Sequence, residues 1–216
     1  MSSPDSAFSP NSDDAGRRVY AGRSLSDRKA ERRERFRAAG LELFGTLGFA
    51  DVTISNLCTE AGLSRRQFYE EYSGREELLT EIYDDIQQRA RVAVLAAVGA
   101  LDDADVYQIA HAAVDAYVDT VAADQRFIRC SFVEVGGVSE AVEKHRVASR
   151  GTWARFIADT ISTLPGTADG PLDYTATAFI GALTSVVHRW STADPRPDQS
   201  EIVDLLAKML RDLATQ

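Results

Sequence analysis

Cysteine is nearly absent. Cys58 and Cys130 are the only two, which excludes a disulfide scaffold and offers no zinc-ligand spacing, leaving two small buried thiols. Glycine and proline, at 14 and 6 of 216 residues, are too sparse for a low-complexity chain. No apolar run approaches the roughly 18 residues of a membrane span, so no membrane partner is expected. The opening MSSPDSAFSPNSDDAGRR lacks the basic start and apolar middle of a secretion signal, so a cytoplasmic protein is expected. Period-two alternation bounded by hairpin turns is missing, and the fold class expected is all-α. Enzyme signatures are missing too. His111, His145 and His188 follow Gln108, Val142 and Ser185 by three residues, so no Glu-x-x-His pair of a metal bundle occurs. With no Gly-x-Ser-x-Gly elbow and no phosphate-binding glycine loop, the chain is expected to be no enzyme, with no catalytic residue, metal or cofactor.

What is present is charge set unevenly along the chain. The net charge is −9, yet Ala15 to Arg37 holds Arg17, Arg18, Arg23, Arg28, Lys29, Arg32, Arg33, Arg35 and Arg37 against Asp27, Glu31 and Glu34. A basic end on an acidic body fits an anionic partner met at one end, or a solvated basic face.

Residues 1–25, rich in Ser, Asp, Pro and Gly, read as a mobile basic arm. From Ser26 a helix begins, with Phe36, Gly40, Leu43, Phe44 and Leu47 on one stripe and Gly48 past its end. Thr53 is a candidate N-cap for a short second helix that ends at Gly62. Ser64 opens a third helix, with Gln67 completing a capping box, and Ser73 with Glu76 repeats the device for a fourth, running to about Ala100. A short turn between the second and third helices is helix-turn-helix geometry. Further helices are expected over Asp105–Ala123, Phe127–Val135, Ser139–Leu164 (interrupted or bent near Gly151), Leu172–Trp190 and Asp198–Ala214. PGTADGP, Pro165 to Pro171, reads as a loop.

A helix entering the major groove presents its first residues to base edges. Arg65, Arg66 and Gln67 hold those positions; arginine suits guanine O6/N7 and glutamine suits adenine N6/N7. Gln67 is equally able to serve only as the capping partner of Ser64. Tyr69 can donate its hydroxyl to a phosphate, Thr53 can meet another at its helix start, and Arg75 a third. Glu70 and Glu71 would repel phosphate, and the sequence assigns them no role.

AAGLELFGTLGFADVTISNLCTEAGLSRRQFYEEYSGREELL, Ala38 to Leu79, resembles the N-terminal domain of the tetracycline-repressor (TetR) family of bacterial transcription regulators. The resemblance rests on Phe44, Gly48, Phe49, Thr53, Ala61, Gly62, Leu63, Ser64, Tyr69, Tyr72, Arg75, Glu76 and Leu78 at fixed spacing. It implies a helix-turn-helix DNA-binding domain over residues 26–73 and a helical ligand-binding and dimerisation domain over 74–216. The function implied is a dimeric repressor, released from a palindromic double-stranded DNA operator by a small molecule. DNA contacts are then expected from Thr53, Ser64, Arg65, Arg66, Gln67, Tyr69 and Arg75. His111, Tyr117, Phe132, Trp153 and Phe156 are large residues suited to line a pocket for an apolar or aromatic effector. The last two helices imply a homodimer interface through Phe179, Ala182, Leu183, Val186 and Leu206. Small residues at Ala178, Gly181, Ala182 and Ser185 would let a second helix approach closely; an intramolecular core helix is the other reading.

Overall fold

Helix α1 spans Leu25–Thr46 and buries Phe36 and Phe44 completely. It ends one residue before Leu47, which leaves the expected stripe and is 57% exposed. This is a computed structural model describing residues 25–164 and 172–215; the expected basic arm, except for Leu25, and the expected Pro165–Pro171 loop lie outside them. Among the described residues every regular element is a helix. None of these helices is long and apolar enough to cross a membrane.

Helix α2 (Ile54–Ala61) starts at Thr53, whose hydroxyl accepts from Asn56 N–H while the Asn56 side chain accepts from Thr53 N–H. Helix α3 (Arg65–Glu71) repeats that reciprocal cap with Ser64 and Gln67. Between them Gly62 takes φ +61°, a left-handed conformation that costs a residue with a Cβ roughly 1–2 kcal/mol. The three helices close on an aromatic cluster. Phe36 meets Phe68 edge-on at 5.2 Å and Tyr72 at 6.1 Å, so α1 and α3 are locked at one point.

Helix α4 (Arg75–Gly99) corrects the expected capping pair. Gly74 is the N-cap and offers no side chain, so Ser73 N–H and hydroxyl both donate to Glu77, one turn on. Glu76 accepts instead from the Ser139 hydroxyl at 2.7 Å. The 25 residues of α4 begin against α1, where Leu78 and Ile82 close over Gly40, and continue into the body, burying Ile86, Ala90 and Val94.

The body adds α5 (Val106–Ala122), the single turn α6 (Gln125–Ile128), α7 (Glu140–Ser162), α8 (Leu172–Ser191) and α9 (Gln199–Ala214). The apolar run after Phe127 is not a plain helix. From Arg129 to Val133 it widens into a π-turn closed by Glu134 N–H onto Arg129 C=O at 2.8 Å. Helix α7 runs through Gly151 without an interruption there. Helix α5 packs between α4 and α9, and α8 against α7 and α9.

Candidate DNA-binding surface and effector cavity

Helix α3 presents its first turn to solvent. Arg65 is exposed and makes no hydrogen bond or ion pair among the described residues. Arg66 is exposed as well and pairs with Glu70 at 3.0 Å, one helical turn on. Tyr69, 54% exposed, rests its ring on Phe68 and leaves its outer edge to solvent. The Gln67 side-chain oxygen accepts from Ser64 N–H at 2.9 Å and from its hydroxyl at 3.0 Å. Gln67 therefore caps, and its amide NH2 is left without a partner among the described residues. A glutamine restricted to donating fits a base acceptor better than the paired donor and acceptor of an adenine edge.

Arg75 sits behind this surface. Its guanidinium stacks on Phe49 at 4.6 Å and donates to Phe49 C=O at 2.8 Å and to Val52 C=O. It thereby fixes the α1–α2 turn that delivers Thr53, and brings positive charge beneath the start of α2.

Glu70 and Glu71 now have roles. Glu71 is a buried carboxylate gripped by Arg32 through Nε at 3.0 Å and Nη2 at 2.6 Å, while Arg33 donates to its backbone C=O at 2.9 Å. Arg33 also pairs with Glu81, and Arg37 with Glu34, Glu81 and Asp85. Much of the basic α1 face is thus an internal lattice tying α1 to α3 and α4, not a free phosphate-binding stripe.

Inside the body, Tyr117, Phe132, Trp153 and Phe156 converge on one cavity, about 60 Å³ in volume, with Phe179 and Leu183 of α8 in its wall. Tyr117 and Trp153 meet edge-on at 5.3 Å, and Trp153 meets Phe156 at 5.8 Å. Gln87 accepts hydrogen bonds from Trp153 Nε1 at 3.0 Å and from the Tyr117 hydroxyl at 3.4 Å. Burial pushes the Tyr117 and Tyr83 hydroxyls above their usual range, so both stay neutral. His111 is not in this wall; it faces Asp204 of α9 at 3.3 Å, beside Tyr107. The cavity also takes in Arg146, Arg150 and Ser131, which sequence reasoning missed. A signal existed: Arg146 and Arg150 interrupt the inward stripe Val142, Arg146, Arg150, Trp153, Ile157 at helical spacing.

The residues expected at the α8 and α9 interface divide between the protomer's core and its surface. Phe179, Leu183 and Leu206 are buried within the protomer, and Ala182 and Val186 are half-buried. Beside the exposed Asp173, Thr177, His188 and Arg189, α8 exposes a stripe of Tyr174, Ala178, Gly181 and Ser185, spaced four, three and four residues apart. Both cysteines are buried, and the Cys130 thiol is pushed up to about 12 by burial, so it is inert as a nucleophile.

The three-helix unit and the cavity meet at the π-turn. Arg129 donates to Thr46 C=O at 2.7 Å and to Glu134 at 2.6 Å, and Glu134 accepts from Phe49 N–H at 2.7 Å. Between them in sequence, Ser131 and Phe132 face the cavity. Arg126 adds a bridge to Glu42, and its backbone lies so close to α1 that a Cβ on Gly45 would come within 2.9 Å of Arg126 Cα.

Residues 36–82 match the sequence model described as bacterial regulatory proteins, tetR family. No curated protein matches the chain. Among solved structures, a TetR-family regulator from Syntrophomonas wolfei superposes with a TM-score of 0.74 at 14% identity, covering 87% of this chain and 96% of that one. A transcriptional regulator from Pseudomonas aeruginosa PAO1 gives 0.68 at 19% identity, with coverages of 88% and 91%. The regulator FadR from Bacillus subtilis, solved in complex with stearoyl-CoA, gives 0.68 at 12%, with 82% and 96% covered. Residues 36–82 thus carry the helix-turn-helix domain of the bacterial regulatory proteins of the tetR family, and the all-α fold around it is the one seen in solved TetR-family regulators.

Proposed function

We propose that the protein is a ligand-responsive, homodimeric repressor that leaves a palindromic operator when a small molecule enters the cavity. The observation that carries this reading is the segment Arg129–Glu134. Its inner side chains line the cavity, and its outer ones hold Thr46 and Phe49 at the end of α1. A ligand that displaces Ser131 or Phe132 shifts the residues that set the pose of the reading head, which is how differential binding becomes a population shift. Residues 26–73 form the head and 74–216 the effector body. Arg65, Arg66, Gln67 and Tyr69 read the groove; Thr53 and Ser64 bring helix starts to phosphates, and Arg75 supports them. The stearoyl-CoA complex of the B. subtilis protein supports a small organic effector in this fold.

Mobility shift and footprinting on the DNA upstream of its own gene test the operator. Arg65→Ala should weaken binding by about 1–3 kcal/mol if the side chain contacts guanine bidentately, and affinity should fall steeply with salt. If both Arg65→Ala and Arg66→Ala bind as tightly as the parent, α3 is not the reading helix.

For the dimer, the exposed α8 stripe is the proposed contact. A Cβ on Gly181 would meet nothing within 4 Å in the protomer, so Gly181→Glu is sterically free there and improves helix propensity. It would place a charge in a close helix contact. The variant should fold, sediment as a monomer and lose operator affinity; a dimer of unchanged stability places the interface elsewhere.

A further inference from the structure

The cavity has an unequal lining. Two arginines, Arg146 and Arg150, reach it and no carboxylate does. Arg146 is partnered by Glu143 at 2.6 Å, but Arg150 makes no ion pair or hydrogen bond among the described residues. It lines the chamber together with the polar side chains of Tyr83, Gln87, Tyr117 and Ser131. Ser131 supplies an independent sign. It is only 3% exposed, lines the same chamber, and its hydroxyl has no hydrogen-bond partner. A buried polar atom left unmet costs about 1–3 kcal/mol, a cost that a ligand acceptor would remove.

At about 60 Å³ the chamber holds little more than a headgroup. Beyond Phe156, Ile157 and Ala113, which line both spaces, lies a second chamber of about 260 Å³. It is walled by Val98, Val106, Ile109, Ile161 and other apolar side chains from α4, α5, α7 and α9, and carries no charged residue. We infer that the effector is an amphipathic carboxylate, its anionic head held by Arg150 and Ser131 and its aliphatic tail threaded past Phe156 into the apolar chamber. This rests on reading the cavity as the effector site. Head and tail are separately required, since the inner space cannot take the tail and the outer one has nothing to neutralise a charge.

Straight-chain carboxylates from hexanoate to dodecanoate, titrated into the full-length protein by calorimetry and Trp fluorescence, provide the test. Affinity should rise about fourfold per methylene until the outer chamber is full. Decanol should bind at least about tenfold more weakly than decanoate, because it cannot make a charge-assisted bond. Arg150→Gln should erase that difference. Ala113→Phe, at the junction, should stop the gain at a shorter chain while leaving Arg150 in place; circular dichroism checks the fold of both. Equal binding of decanol and decanoate, an Arg150→Gln variant that still discriminates, or tighter binding of decanoyl-CoA, whose thioester has no carboxylate, would each overturn the assignment. Operator binding is measured separately without ligand. A protein that binds its operator but no carboxylate refutes this inference alone; one that binds carboxylates but no operator refutes the regulator reading alone.

Discussion

Phe36→Ala should be the most damaging single substitution in the reading head, at about 3–5 kcal/mol. Phe36 is fully buried and its ring is the edge partner of both Phe68 and Tyr72. Removing it leaves a cavity between α1 and α3, and α3 has only 7 residues, too few to hold a helix without packing. Operator binding should vanish, because α3 loses its angle to α1 as well as its stability. The body, whose core lies around Tyr117, Val118 and Leu206, should survive and keep its cavity. Thermal unfolding should therefore show an early loss of part of the helical signal, with a later transition little changed. A single transition near the parent temperature together with retained operator affinity would show that Phe36 does not hold the head together.

The sequence was most informative where an element's structure depends on residues close by. Thr53, Gly62 and Ser64 act on neighbours three or four residues away, so their caps and turn are read directly from the sequence. The all-α fold and the DNA-binding headpiece followed from those signals and from the family pattern. Glu71 was opaque for the opposite reason. Its partner Arg32 is 39 residues upstream, and only the packing of α3 on α1 brings the two charges together. The basic count on α1 was misleading in the same way, since charges that look free in the sequence are paired in the fold. On α8, apolar size marks Phe179 and Leu183, which face inward, whereas the small residues Ala178, Gly181 and Ser185, legible in the same sequence, lie on the exposed face. The junction was wholly hidden, because Glu134 and Phe49 are 85 residues apart and a π-turn has no local pattern.

Glu134→Ala should separate DNA binding from its control. The carboxylate is 12% exposed and does two jobs, accepting from Phe49 N–H and pairing with Arg129, which in turn holds Thr46 C=O. Deleting it leaves a partly buried amide unmet and releases Arg129, at a cost of about 1–3 kcal/mol confined to the junction. The caps on Thr53 and Ser64 and the aromatic cluster are untouched, so the head keeps its fold and its contacts with DNA. What is lost is the rigid link through which movement of Ser131 and Phe132 reaches α1. Couplings of this kind commonly change affinity about 5–150-fold. In Glu134→Ala the ratio of operator affinities without and with the best-binding carboxylate should fall toward one, while ligand affinity itself changes little. Glu134→Gln should lie between, because its amide oxygen can still accept from Phe49 but its charge no longer holds Arg129. A ligand-independent consequence follows from the same geometry: with the link cut, head and body should unfold in two resolved steps. A variant that responds to ligand as the parent does, and unfolds as the parent does, would move the coupling away from the π-turn, to the Arg126–Glu42 bridge or to α4, which runs continuously from the head into the wall of the cavity.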